Sequence, residues 1–124
     1  MIFGRTSTRG PKLEILQGTL DMLVLKTLLF GPAHGQAIAR SIERESVDAL
    51  QVEHGSLYPA LHRLRRKGWI TAAWEWQKAL NREFKFYNLT PGGRRQLATE
   101  EAQWRRVSKA IARVMWPALG TSED

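Results

Sequence analysis

The sequence predicts a mainly α fold with one small β-hairpin: three short helices, two strands, then one long C-terminal helix. Three observations predict it. Apolar residues recur at helical spacing in four stretches, strand-forming residues take over only between residues 69 and 89, and glycine or proline stands at the joints. At 124 residues the chain is expected to form one folded unit with a modest core.

In order along the chain, residues 1–12 hold Gly4, Gly10, Pro11, Arg5, Arg9 and Lys12 with little to bury, and are expected to form a flexible basic arm. From Leu13 to Phe30, Ile15, Leu16, Leu20, Met22, Leu23, Val24, Leu25, Leu28 and Leu29 wrap most of the way round a helix. Such a helix must be covered on nearly all sides. Gly31-Pro32 stops it, and a second helix runs from about His34 or Gly35 to Ser46 with Ile38 and Ile42 inward. Val47 to His54 leads to a third. There Ser56 is the expected N-cap, Pro59 falls in the first turn and Gly68 ends the helix. Leu57, Leu61 and Leu64 form one apolar stripe, which leaves Ser56, Tyr58, Pro59, His62, Arg63, Arg65 and Arg66 facing outward. Three short helices with brief connections make a helix-turn-helix unit.

Trp69 to Trp76 and Phe84 to Leu89 read as two strands, with Gln77 to Glu83 as a hairpin tip carrying Lys78, Asn81 and Arg82. A ribbon beside a helix-turn-helix is a wing. Thr90 then caps a last helix with Pro91 at its first position, running to Trp116 before Pro117. At a rise of ~1.5 Å per residue it would be ~35–40 Å long. Leu97, Trp104 and Ile111 recur every seventh residue, with Val107, Val114 and Met115 beside them, as a coiled-coil seam does. Packing on the first helix of the same chain can cover part of that seam; a second copy would cover all of it. The expected organisation is therefore an arm at 1–12, a winged unit at 13–90, a dimerisation helix at 91–117 and a flexible tail at 118–124.

Nineteen Lys and Arg against twelve Asp and Glu give a formal charge of +7. The excess is local. Residues 51–95 carry nine cations and three anions, a concentration that implies a polyanionic partner, nucleic acid first and an anionic membrane surface second. The short helix with Tyr58 near its N-terminus and cations behind it suits a groove lined by phosphates, although a solvated basic face would read the same way. With no cysteine, disulfides and Cys-ligated zinc are excluded, which fits a reducing cytoplasm. The apolar run Leu20 to Phe30 is broken by Asp21 and Lys26, is too short to span a bilayer and lacks the layout of a signal peptide. His34, His54 and His62 make no metal-ligand spacing, and no phosphate-cradling glycine loop or nucleophile elbow is present. No enzyme activity, metal or cofactor is expected. A winged domain used only for protein contacts remains the alternative to DNA binding.

The run Gly55-Ser56-Leu57-Tyr58-Pro59-Ala60-Leu61-His62-Arg63-Leu64, then Gly68-Trp69-Ile70, Lys85-Phe86-Tyr87-Asn88-Leu89-Thr90 and Gly93-Arg94-Arg95, resembles the PadR family of bacterial transcriptional regulators. Leu23 to Leu28 and His34-Gly35 match in place as well, so the resemblance covers roughly Leu13 to Met115. It implies a winged helix-turn-helix protein that binds a palindromic operator as a homodimer, mostly as a repressor, and dimerises through its C-terminal helix. It further implies that Ser56, Tyr58 and Pro59 lie on the reading helix and Lys85 on the wing. The candidate DNA-binding set is thus His34, Gly35, Gln36, Ser56, Tyr58, Pro59, His62, Arg63, Arg66, Lys78, Arg82 and Lys85. Two positions depart from the family pattern, Gln36 and Phe86, where tyrosine is common. The candidate dimer seam is Leu16, Leu20 and Leu23 from the first helix with Leu97, Trp104, Val107, Ile111, Val114 and Met115 from the last. Trp104 is also a candidate stacking surface for a small aromatic effector.

Overall fold

The computed structural model describes residues 13–117, in the order β1 (Leu13–Glu14), α1 (Gln17–Leu29), β2 (Ala33–His34), α2 (Gly35–Glu45), β3 (Leu50–Gln51), α3 (His54–Arg66), β4 (Ile70–Gln77), β5 (Arg82–Leu89) and α4 (Pro91–Met115). The expected arm at 1–12 and tail at 118–124 lie outside these residues. The mainly α fold with a small hairpin is as expected, and two short additions tie it together. Leu13-Glu14, expected to open the first helix, instead pairs in parallel with Leu50-Gln51, so that backbone groups of the α2–α3 connection find partners. Ala33-His34 adds a third strand to the wing, antiparallel to Phe86-Tyr87.

α1 is the central post. Leu20, Val24, Leu25 and Leu28 are buried among α2, α3, α4 and β5, which accounts for apolar residues on so many of its sides. Ile38, Ala39 and Ile42 of α2, Leu57, Ala60, Leu61 and Leu64 of α3, and Ile70 and Tyr87 of the wing complete the core. Asp21 also lies within it, only 8% exposed, and such a carboxylate needs a partner. Arg63 of α3 supplies one, its guanidinium nitrogen 2.8 Å from Asp21 Oδ1.

The ends of the helices explain where they stand. α3 closes at Gly68, whose φ of 77° is the left-handed conformation that glycine adopts without penalty. The Gly68 and Trp69 N–H groups donate to the Arg65 and Leu64 carbonyls, which satisfies the final turn. Thr90 caps α4 through its hydroxyl, which accepts from the Gly93 N–H at 3.0 Å and donates to the Gly68 carbonyl at 2.8 Å. Gly93 has no room for a side chain, because a Cβ there would collide with the Trp69 carbonyl. The start of α4 is thereby fixed against the root of the wing.

The hairpin is longer than its sequence suggests. Gln77 pairs with Arg82, and Lys78–Leu80 form a single tight turn that closes on Asn81 in the left-handed region. Asparagine tolerates that conformation better than most residues.

Candidate nucleic-acid interface

With Leu57, Ala60, Leu61 and Leu64 turned into the core, the helical period leaves Tyr58, Pro59, His62, Arg65 and Arg66 of α3 exposed. Ser56 is exposed too, but it does not cap the helix. α3 starts earlier than expected because buried Val52 brings the chain in at Glu53, whose carbonyl accepts from the N–H groups of Ser56 and Leu57. No side chain caps this N-terminus. Pro59 consequently falls in the second turn, where its missing N–H leaves the Gly55 carbonyl without a helical donor.

Arg63 corrects another expectation. It does not face outward with its neighbours: its side chain turns back to Asp21, and its Nε is buried without a hydrogen-bond partner. The cation belongs to the contact between α1 and α3. Asp21, the one acid of α1, stands between Leu20 and Met22 and is the signal for it, since a buried carboxylate implies a cation somewhere opposite.

Tyr58 lies over the N-terminus of α2. A Cβ at Gly35 would lie 2.5 Å from the Tyr58 hydroxyl oxygen, so the absent side chain is what lets the Tyr58 ring lie where it does. The His54 ring meets Tyr58 edge-on, with centroids 5.8 Å apart. Behind them burial pushes the Tyr87 hydroxyl above its ordinary pKa, with Tyr58 adding to the shift and Arg65 opposing it.

His34 has a structural task. Its Nδ1 accepts from the Ala37 N–H at 3.2 Å and so caps α2, while its ring stacks on Phe84 at 4.9 Å and meets Phe86 edge-on. An accepting Nδ1 requires the neutral imidazole. Burial first, then Arg40 and Arg82, hold its pKa below the ordinary value.

On the wing, Lys78 and Arg82 are exposed and Lys85 is half-buried. The Arg82 guanidinium lies 4.6 Å from the Phe84 ring and the Lys85 ammonium 5.8 Å from the Trp74 ring. A cleft of about 440 Å³ separates wing from helices, and His34, Gly35, Gln36, Tyr58, Arg82 and Lys85 all line it. Ser56 and Pro59 line a separate recess of about 240 Å³ beside Arg63. His62, Arg66 and Lys78 are exposed outside the cleft.

The seam residues divide. Leu20 and Leu97 are closed into the core of their own chain, so they are not free for a partner as the sequence reading had them, and Leu23 is half-buried. The cause is that the first turns of α4 pack on α1 and β5. Leu16, Trp104, Val107, Ile111, Val114 and Met115 are exposed. Among the described residues no three acidic or histidine side chains gather where they could hold a metal ion, and no helix is long and apolar enough to cross a membrane.

Residues 24–99 match the transcriptional regulator PadR-like family. The chain belongs to that family. A solved PadR family transcriptional regulator from Eggerthella lenta is 31% identical, with a TM-score of 0.69 over 81% of this chain and 84% of that one. Another from Clostridium difficile is 26% identical with a TM-score of 0.67, covering 77% of this chain and 97% of that one. An uncharacterized 37.1 kDa protein in transposon TN4556 of Streptomyces fradiae is 41% identical over 91 residues, which make up 73% of this chain and 24% of that protein. The cleft, α3 and the wing therefore belong to a transcriptional regulator with the PadR winged-helix fold.

Proposed function

We propose that this PadR-like regulator binds an inverted-repeat operator as a homodimer and represses transcription. The observation that carries the reading is the shared placement of Tyr58, Arg82 and Lys85 around one cleft, with His62, Arg65 and Arg66 exposed on the same reading helix. In this reading α3 enters the major groove, the N-terminus of α2 and the wing hold the flanking backbone, and Arg63 acts indirectly by fixing α3 on α1. Trp104, Val107, Ile111, Val114 and Met115 pair with their counterparts across a two-fold axis. That symmetry sets two α3 helices about one DNA turn, ~34 Å, apart.

The test is binding to genomic fragments that the protein itself retains, measured with wild type and Trp104→Glu at several salt concentrations. Wild type should sediment as a dimer, recover an inverted repeat and lose affinity steeply as salt rises. Trp104→Glu should dissociate and lose specific binding while its helical content stays unchanged. A wild-type monomer at micromolar concentration, or a mutant that remains dimeric, would remove the dimer from this account. An affinity indifferent to salt would remove the DNA face.

A further inference from the structure

Two tryptophans on the wing have no use in the interface described so far. Trp74 and Trp76 stand two residues apart on β4, hence on one face, and are 62% and 58% exposed. The same face carries Ile70, which is buried, and Ala72, whose cross-strand partner is the buried Tyr87. It is therefore the side of the sheet that looks toward the core and α3. Trp74 lines the cleft opposite Tyr58, and its cross-strand partner Lys85 holds an ammonium over its ring.

Two adjacent exposed indoles on a hairpin are a liability unless something covers them. The charges around them select the occupant. Lys85 lies within the aromatic patch, and Lys78 and Arg82 stand at the hairpin tip, against two acids, Glu83 opposite Trp76 and Glu75 on the other face of β4. A wholly apolar protein surface would strand those ammonium and guanidinium groups, whereas a duplex backbone offers phosphates for the cations and deoxyribose rings for the flat indole faces.

We propose that the Trp74–Trp76 face packs on the sugars of the duplex backbone flanking the α3 groove, a contact made by apolar area rather than by charge. The inference rests on the DNA-binding reading above and adds a component of affinity that salt does not screen. Wing cations and wing indoles are then separable. Removing Lys85 should reduce the slope of log affinity against log salt by about one phosphate's worth, while removing the indoles should weaken binding and leave that slope alone.

The experiment measures the affinity of the full chain for operator and for random duplex across a salt series. Wild type is compared with Lys85→Ala and Trp74→Ala/Trp76→Ala. The double alanine variant should lose roughly tenfold on both duplexes at every salt concentration, the loss that about 55 Å² of uncovered indole surface produces at ~25 cal/mol per Å². Because that variant could weaken the hairpin itself, tryptophan emission of Trp74→Phe/Trp76→Phe is followed as duplex is added. Wild type and Trp116→Phe should be quenched alike, and Trp74→Phe/Trp76→Phe should lose most of the quenching. Unchanged quenching in that variant, or a changed salt slope in the folded double alanine variant, would overturn the inference while leaving DNA binding intact. A wild-type chain that retains no duplex at low salt would overturn the functional reading and this inference with it.

Discussion

α3 and α4 carry the same kind of sequence signal and meet opposite fates. Leu57, Leu61 and Leu64 are at most 1% exposed, whereas Trp104 and Ile111, at equally regular spacing, are more than half exposed. The difference lies in what stands opposite. α3 is backed by α1 and β4 along its length, while Leu97 is the last buried residue of α4. Periodicity states that a face needs cover; it does not state which chain supplies it.

The largest effect that sharpens this contrast comes from truncating one residue on each stripe. Leu61→Ala should lower unfolding stability by ~2–5 kcal/mol, since it opens a cavity beneath α3. Ile111→Ala, measured by urea unfolding at concentrations where the chain is monomeric, should change stability by no more than about 0.5 kcal/mol. Equal losses at the two positions would erase the distinction between a stripe covered within the chain and one left open.

A smaller effect is expected from the Asp21 and Arg63 contact, which braces α3 from a second direction. Asp21→Ala should destabilise by ~1–3 kcal/mol, because the partly buried guanidinium loses this charged acceptor while retaining some contact with water. DNA affinity should fall with it even though Asp21 is buried away from the cleft. A variant of undiminished stability would show that the pair contributes nothing to how α3 is held.

The smallest effect concerns His34, which links α2 to the wing. Its folded-state pKa lies below 6.5, so the stabilisation it gives is present above that value and is lost as pH falls through the folded-state value. Asn caps helices without titrating. His34→Asn should therefore flatten the decline of melting temperature as pH falls from about 6.5 through the lowered folded-state value. An unchanged decline would place the acid sensitivity elsewhere.

Much of this was legible in the residues. The stops at Gly31-Pro32 and Gly68, the Thr90-Pro91 start and the Leu57, Leu61 and Leu64 stripe are local devices, and local chemistry settles them. What escaped was set by contacts between distant segments. Nothing near Arg63 announces that Asp21, forty-two positions away, draws it inward. Nothing near His34 announces Phe84 and Phe86. Ser56 looked like a cap because serine favours that place, but the burial of Val52 moved the helix start forward. Trp74 and Trp76 read as ordinary strand residues, because composition cannot tell a covered face from a bare one.

The glycine at position 93 turns α4 into a lever. Its missing side chain lets the helix sit hard against the Trp69 carbonyl, and beyond Glu101 the described residues leave the shaft exposed at almost every position. From Gly93 to Met115 the shaft is ~33 Å long, so a ~10° swing about that pivot carries its far end through ~6 Å. In the proposed dimer the same motion runs in reverse. Two such shafts locked together at their tips would convert a few degrees at the pivot into a change in the distance between the two α3 helices, so the angle at which α4 leaves Gly93 would set the operator spacing that the proposed pair accepts.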